Sequence, residues 1–389
     1  MIEPANTSRE IELISQRDYV RCVWDPFNDF ANLFGWFNNR KRGTFVLCNA
    51  GTRASEYPGI SAAGVDPIAR RFTPAVDAEA LVLGRTISAE SLPVSPLGIV
   101  SPVVISRACL SLLNIKTRVV DCGSFYSPQF DDVLVLSNQI AECPSSASAL
   151  PKETVDRLFA AGCKIGKELA RVFDFLILAE CVPGGTTTAA AIMNALGYEV
   201  NGLVSSSLPN CNHAEKWALV EKGFINSGFS KEYFLSMPLQ AVSCFGDPMQ
   251  AVVAGIAATA SKDCQIFLAG GSQMLAIWAL LKALSVSEEQ LRNILILTTE
   301  WVAFDQSAGV QILAQQLQAP MAAASPDFRK SRHAGLQAYE EGNVKEGVGA
   351  GASMCLAYLS GFDPIQIQAA IDNCYDELVA VPAAPSSAS

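Results

Sequence analysis

From residue 151 to residue 359 the chain alternates short apolar runs of β type with longer stretches of helical spacing, and this alternation limits its fold more than any other feature. A helical stretch over 151–172 leads into Phe173, Phe175, Leu176, Ile177 and Leu178, and a second over 189–196 leads into a β-type run at 202–206. There follow a helix near 215–226, an Ala-rich helix from Asp247 to Ala260, the run 265–268, a helix ending at Leu284 and the run 293–298. Strands separated by helical crossovers pair in parallel, because parallel neighbours need a long connection. The expected fold class is α/β: a doubly wound, mostly parallel, Rossmann-like sheet with helices on both faces, plus a small helical subdomain from the terminal regions. Ligands of such sheets bind beyond the carboxyl ends of the strands, where Glu180, Gly270 and Thr299 would lie.

The first 150 residues continue the theme less cleanly, with β-type runs at 44–48, 80–83 and 118–121. Pro- and Gly-rich stretches at 56–60 and 91–102 read as loops over an active site or a subunit contact. The aromatic segment 24–36, followed by Asn39-Arg40-Lys41-Arg42, reads as an amphipathic helix that packs on the core or on a partner subunit. The expected organisation is an N-terminal helical segment over 1–42, an α/β domain over 43–361, a C-terminal helix over 362–380 and a disordered Ala/Pro/Ser tail over 381–389.

With 389 residues, 50% of them hydrophobic and 17% charged, the chain can bury a large core. A net charge of -10 and the lack of a long Lys/Arg stripe argue against nucleic acid and anionic membrane surfaces as partners, leaving small molecules. Apolar runs are broken well short of the ~18 residues expected of a spanning helix. The start, Met1-Ile2-Glu3-Pro4, has no signal-peptide pattern, so a cytoplasmic protein with reduced thiols is expected. The 12 cysteines include no CxxC pair and there are 2 histidines, so no Cys/His metal site and no cofactor are expected.

Chemistry concentrates at three Gly-rich turns. In Glu180-Cys181-Val182-Pro183-Gly184-Gly185-Thr186-Thr187-Thr188 a strand meets a helix start, so that glycines allow close backbone approach while threonines and free N–H groups face an anion. Gly270-Gly271 follows the run 265–268, and Glu346-Gly347-Val348-Gly349-Ala350-Gly351 precedes the run 354–359. Glu180 and Glu346 stand beside turns suited to phosphate, a poor place for a carboxylate unless it serves the other half of the substrate. Glu346 reads as a general base with a pKa raised by burial, against the plainer reading that each Glu caps a backbone N–H. Lys216 is either a phosphate anchor or an ordinary helix lysine, and Asp247, ahead of Pro248, reads as a helix N-cap. Asp305, Arg332 and His333 read as solvated loop residues. A Walker A loop, a dinucleotide fingerprint and a nucleophile elbow are all missing.

Taken together, the turn 180–187, Gly246-Asp247-Pro248-Met249 with its Ala-rich helix, Leu268-Ala269-Gly270-Gly271 and Lys345-Glu346-Gly347-Val348-Gly349-Ala350 occur in the order seen in nicotinate-nucleotide–dimethylbenzimidazole phosphoribosyltransferases. With Tyr57-Pro58-Gly59-Ile60-Ser61-Ala62-Ala63-Gly64 the chain most resembles the archaeal and cyanobacterial branch of that family, over residues 51–361. The resemblance implies catalysis by Glu346, as base on the incoming benzimidazole, and by Glu180. It implies a phosphate and ribose site at Gly184, Gly185, Thr186, Thr187, Lys216, Gly270, Gly271, Gly347 and Gly349, and a loosely aligned base pocket near Ser55, Tyr57 and Ser61. The family has Gly-Asn-Thr-Thr where this chain has Gly184-Gly185-Thr186-Thr187, so an amide side chain is missing.

The implied reaction is transfer of phosphoribose from nicotinate mononucleotide to a benzimidazole- or purine-type base, giving an α-ribotide for the lower ligand of a cobamide in cobalamin biosynthesis, by a cytoplasmic homodimer without metal. Two alternatives compete with it: a non-catalytic protein that binds a phosphorylated ligand or nucleotide, and another sugar-phosphate enzyme on the same fold.

Overall fold

The computed structural model describes residues 18–32 and 41–379. Eight strands form one sheet: β1 (Val20–Trp24), β2 (Gly43–Asn49), β3 (Thr117–Asp121), β4 (Val133–Val135), β5 (Phe175–Cys181), β6 (Gln265–Ala269), β7 (Ile294–Thr299) and β8 (Met321–Ala324). Their order across the sheet is β1-β8-β7-β6-β5-β2-β3-β4, and every pairing is parallel except that of β1 with β8. The fold is therefore the α/β, doubly wound sheet that the alternation predicts.

Both faces are covered, and the strands show it residue by residue. Leu176 and Leu178 of β5 enter one core with Val46, Ile266, Leu268 and Ile296, whereas Phe175, Ile177 and Ala179 enter the other with Phe45, Leu47, Phe267 and Leu297. A strand buried on both faces needs no polar alternation, which is why Phe-Leu-Ile-Leu-Ala reads as one continuous apolar run. The first face carries the helices Lys152–Ala170, Gly185–Ala195, Pro248–Ala260 and Ser272–Ala283; the second carries Pro67–Leu83, Val103–Leu112, Ala350–Leu359 and Pro364–Val379.

Winding reverses at β2. From β2 the chain moves outward through β3 and β4, then returns to the opposite side of β2 as β5 and proceeds through β6, β7 and β8. The two halves diverge between β2 and β5, which opens a crevice above their carboxyl ends.

Several local expectations change. The run 80–83 is the last turn of the helix Pro67–Leu83, and 202–206 is a loop, because neither has a neighbour strand to satisfy its backbone. Met321-Ala322-Ala323-Ala324 has helical composition yet forms β8, where small side chains fit between β7 and β1. Within the expected N-terminal helical segment, Val20–Trp24 is the antiparallel edge strand β1, and Trp24 and Phe27 pack on the first core while Phe30 packs on the second. The rest of the aromatic segment, 33–36, and the tail 381–389 lie outside the described residues. The C-terminal helix is present as Pro364–Val379 and packs through Ile367 and Ile371 into the second core, so the terminal elements extend the main body.

The helices Lys152–Ala170 and Pro248–Ala260 cross at unusually close range. A Cβ on Gly162 would lie 2.2 Å from the carbonyl oxygen of Val252, and one on Gly255 would lie 2.4 Å from that of Phe159. Backbone cannot yield as a side-chain tip can. We predict that Gly255→Ala forces the pair apart and costs about 1–3 kcal/mol, read as a lower urea midpoint with an unchanged m-value.

Candidate active site

An open cleft of about 920 Å³, mouth included, lies over the carboxyl ends of β5, β6 and β7. Glu180 reaches it from the penultimate position of β5, and Gly184 and Gly185 from the turn that follows. Gly184 has φ 84, and a Cβ there would stand 2.8 Å from the amide nitrogen of Ser55, so only glycine lets the chain turn into the helix Gly185–Ala195 at this spot. That helix, and the helix Ser272–Ala283 after β6, both begin in the cleft lining with no side chain capping their first turns. The third helix start, that of Ala350–Leu359, is occupied by Glu346 itself.

Glu346 Oε1 accepts from the amides of Gly347 at 3.0 Å and Gly351 at 3.2 Å, and Oε2 accepts from Thr298 Oγ1 at 3.3 Å. The capping and the functional readings of this residue thus coexist, since the same carboxylate lines the cleft. Burial pushes its pKa up to about 7, and the amides and the Thr298 hydroxyl hold it from rising further. Glu180 goes higher, to about 8, because burial acts together with the charges of Asp247 and Glu346.

Asp247 organises the floor without lining the cleft. It caps the helix Pro248–Ala260 through a capping box with Gln250, as expected of an acid ahead of Pro248. Its Oδ2 also accepts from Thr188 Oγ1 at 2.6 Å and from Gln273 Nε2 at 2.9 Å, and Gln250 Nε2 donates to Gln273 Oε1 at 2.8 Å. One buried network therefore fixes the starts of three helices relative to one another, and burial raises the pKa of Asp247.

A second buried cluster supports the loop 205–207, whose three serines line the cleft. Lys345 Nζ and Asp305 Oδ2 are 2.6 Å apart, with side chains 2% and 5% exposed. Burial alone would raise the pKa of Asp305, but hydrogen bonds from Lys345 and Ser307 bring it below the usual value. Ser205 Oγ donates to the same Oδ2 at 2.9 Å, and Lys216 Nζ donates to the Ser205 carbonyl at 3.1 Å. Burial pulls the pKa of Lys216 down to about 8.

Of the residues singled out in the sequence, Glu180, Glu346, Gly184, Gly185, Thr186, Gly271, Gly347 and Ser61 line one cleft. The others do not. Thr187 is buried inside its helix, Lys216 stands behind the loop 205–207, and Gly270 and Gly349 serve the turns beneath the lining. Ser55 is buried and donates to the Thr52 carbonyl at 2.7 Å, and Tyr57 points outward, 42% exposed. Asp305, expected in solvent, is buried by its pairing with Lys345, whereas Arg332 and His333 face Asp376 at the C-terminal helix. Sequence reasoning assigned nothing to Asp77, Gln273, Lys345 and the serines 205–207. Asp77 carries a readable signal, an acid inside the otherwise small and apolar stretch Ala75-Val76-Asp77-Ala78.

A phosphoribosyltransferase family model matches residues 105–324. The UPF0284 protein of Gloeobacter violaceus is 43% identical over 339 residues, covering 86% of this chain and 88% of its own; that of Sulfolobus acidocaldarius is 38% identical, covering 86% and 95%. The chain belongs to the phosphoribosyltransferase family, in the cyanobacterial and archaeal branch that these UPF0284 proteins represent, as its motifs imply. Among solved structures it is similar in fold to CobT from Thermus thermophilus, with a TM-score of 0.56, 15% identity, and coverage of 96% of this chain and 99% of that one. A structure titled nicotinate-nucleotide–dimethylbenzimidazole phosphoribosyltransferase, from the same organism, gives a TM-score of 0.55 at 15% identity, covering 95% and 96%. No helix among the described residues is long and apolar enough to cross a membrane.

Crowding of carboxylates has a thermodynamic signature. A carboxyl raised from 4.5 to about 8 on folding contributes stability that is fully present below 4.5 and lost as the pH rises through 8. Glu180→Gln removes that loss. The variant is expected to melt close to wild type near pH 4.5 and increasingly above it up to pH 8 or 9, followed by calorimetry across that range.

Proposed function

We propose that the chain transfers the phosphoribosyl group of nicotinate mononucleotide to an aromatic base of benzimidazole or purine type, giving an α-ribotide for the lower ligand of a cobamide. The observation that carries this reading is the pairing, in one cleft, of the buried Glu346 carboxylate with two glycine-led helix starts that no side chain caps. Family membership supports the phosphoribosyl half of the reading, and the fold neighbour titled for nicotinate-nucleotide and dimethylbenzimidazole suggests the donor and the acceptor.

The chemistry follows from the charges. In the donor, the glycosidic nitrogen belongs to a pyridinium ring, so cleavage of its bond to C1′ returns the electron pair to nitrogen and leaves a neutral pyridine ring. The acceptor's unprotonated ring nitrogen forms the new bond from the opposite face of the sugar, inverting C1′ from β to α. Its other ring nitrogen then carries an acidic proton, which Glu346 takes. The phosphate, remote from the reacting bond, contributes binding and orientation at Gly184, Gly185 and Thr186, where the helix dipole favours an anion. Glu180 is protonated at neutral pH in the empty cleft, because burial and two neighbouring carboxylates oppose its charge. A pyridinium or a developing positive charge on ribose reverses that balance, so its negative charge forms where the transition state needs it.

Glu346 sets both the rate and its pH dependence. We expect kcat/KM to fall as the pH drops below about 7, the value at which Glu346 gains its proton, and Glu346→Gln to lose ~10²-fold or more in kcat. Incubation with nicotinate mononucleotide and a panel of bases, with mass detection of ribotides, reads both. Mononucleotide binding without any ribotide would favour the phosphorylated-ligand binding protein instead.

The functional unit we propose is a cytoplasmic homodimer. Exposed apolar side chains on the segments that flank the cleft, Val65, Ile68 and Leu97, support a subunit contact beside the site, and 12 unbridged cysteines suit a reducing compartment. Sedimentation at micromolar concentration should give twice the mass of one chain; a monomer would refute the contact.

A further inference from the structure

The cleft has one acidic group that the transfer chemistry leaves unused. Thr73 and Asp77 stand one turn apart on the helix Pro67–Leu83 and both line the cleft. Asp77 is 2% exposed, its Oδ1 meets no hydrogen-bond partner, and its Oδ2 accepts from Cys181 Sγ at 3.5 Å, with the Ser101 hydroxyl beside it.

Other buried acids of this fold are not left so. Glu79 accepts from the amides of Ile87, Ser88 and Gln129, Asp121 from those of Gly123 and Ser124, Asp247 from Thr188, Gln250 and Gln273, and Asp372 from Ser331 and Gln368. Those acids hold turns and helix ends together, whereas Asp77 holds nothing in place with its free oxygen. An unpaired buried carboxyl destabilises the empty protein, so its presence in a cleft wall points to a partner that arrives with a ligand. No cation in the lining is free to pair with it, since Lys345, the one basic residue there, is bound to Asp305. Burial holds the carboxyl near pKa 7, which lets it donate as well as accept at neutral pH.

The lining brings together two kinds of surface. Glycines and serines at Gly184, Gly185 and 205–207 suit a phosphate. Asp77 touches Cys181, next in the chain to Glu180, and the segment that carries Ser101 brings Ile99 and Pro102 into the same lining. A flat ring packed on those side chains finds the Asp77 carboxyl as the acidic group to address, with the Thr73 and Ser101 hydroxyls in the same wall.

We propose that Asp77 determines which aromatic base the cleft accepts: its free carboxyl oxygen takes an N–H from a ring-bound amino group, so that amino-substituted heteroaromatic bases are selected over bases bearing only alkyl groups. The proposal rests on the transfer reading for the presence of an aromatic acceptor. A carboxyl group that both accepts and donates matches the N=C–NH₂ edge of an aminopurine with two hydrogen bonds, while a methyl-substituted edge leaves it unpaired in the dark of the cleft wall. Sites built around such a bond reject ligands that lack it far more strongly than apolar pockets discriminate by size.

The test uses the full chain with adenine and 5,6-dimethylbenzimidazole as probes, their affinities measured by calorimetry, with ribotide formation followed on the same preparations. Wild type should bind adenine roughly 10²-fold more tightly or better. Asp77→Leu should abolish or invert that preference, and Asp77→Asn, whose amide also sets an acceptor beside a donor, should keep it; thermal melting confirms that each variant is folded, with Asp77→Ala replacing Leu if Leu does not fit. Equal affinities in wild type, or a preference that survives Asp77→Leu, would overturn the proposal. Failure of the transfer reading looks different: no ribotide from any base, with adenine still held through Asp77.

Discussion

The parallel pairing of β5 with β2 on one side and β6 on the other is the constraint on which the site depends. Because the chain reverses its winding there, strands on either side of the crevice send their connections to opposite faces, and the carboxyl end of β5 is left open between them. Glu180 is the last but one residue of that strand, and the helix that follows begins at once. Parallel pairing also demands burial on both faces, which removes polar residues from β5 until the point where it emerges. The cleft edge is therefore the place where the sheet stops being a core.

Electrostatic tension follows from this convergence. Three helix starts at one edge would give a strongly anion-attracting cleft, yet the chain sets Glu346 on one of them and leaves those of Gly185–Ala195 and Ser272–Ala283 without a side-chain cap. Capping amides hold Glu346 near pKa 7, while Glu180, with fewer such bonds and with Asp247 and Glu346 nearby, rises to about 8. The difference between the two carboxyls, which are of the same chemical type, thus comes from unequal hydrogen bonding and unequal neighbouring charge.

Support around the cleft is rigid and polar. The Asp247 network ties three helix starts together, and the Lys345–Asp305 pair with Lys216 braces the serine loop 205–207. Lys345 adopts φ 66, a left-handed conformation unfavourable for a side chain with a Cβ, directly before Glu346. Its buried ion pair holds the turn in that shape, so Lys345 fixes the orientation of Glu346.

The sequence alone determined the α/β class, the order of the glycine turns and the placing of Glu180 and Glu346 within those turns. These rest on local properties: apolar runs too continuous for a one-sided strand, glycines where a helix must begin next to a ligand, and acids placed within those turns. Only the tertiary structure decided where the remaining polar groups go. Lys216 has the composition of a phosphate anchor but ends under a backbone carbonyl; Asp305 reads as solvated but is drawn inward by Lys345; and Ala322 to Ala324 make a strand because the neighbouring β7 and β1 offer their hydrogen bonds. Asp77, legible in the sequence only as an acid inside a small and apolar stretch, enters the cleft because the second face of the sheet brings its helix over β5. Periodicity and turn chemistry are written in neighbouring residues, whereas the partner of a buried charge is chosen by packing between segments that the chain order keeps far apart.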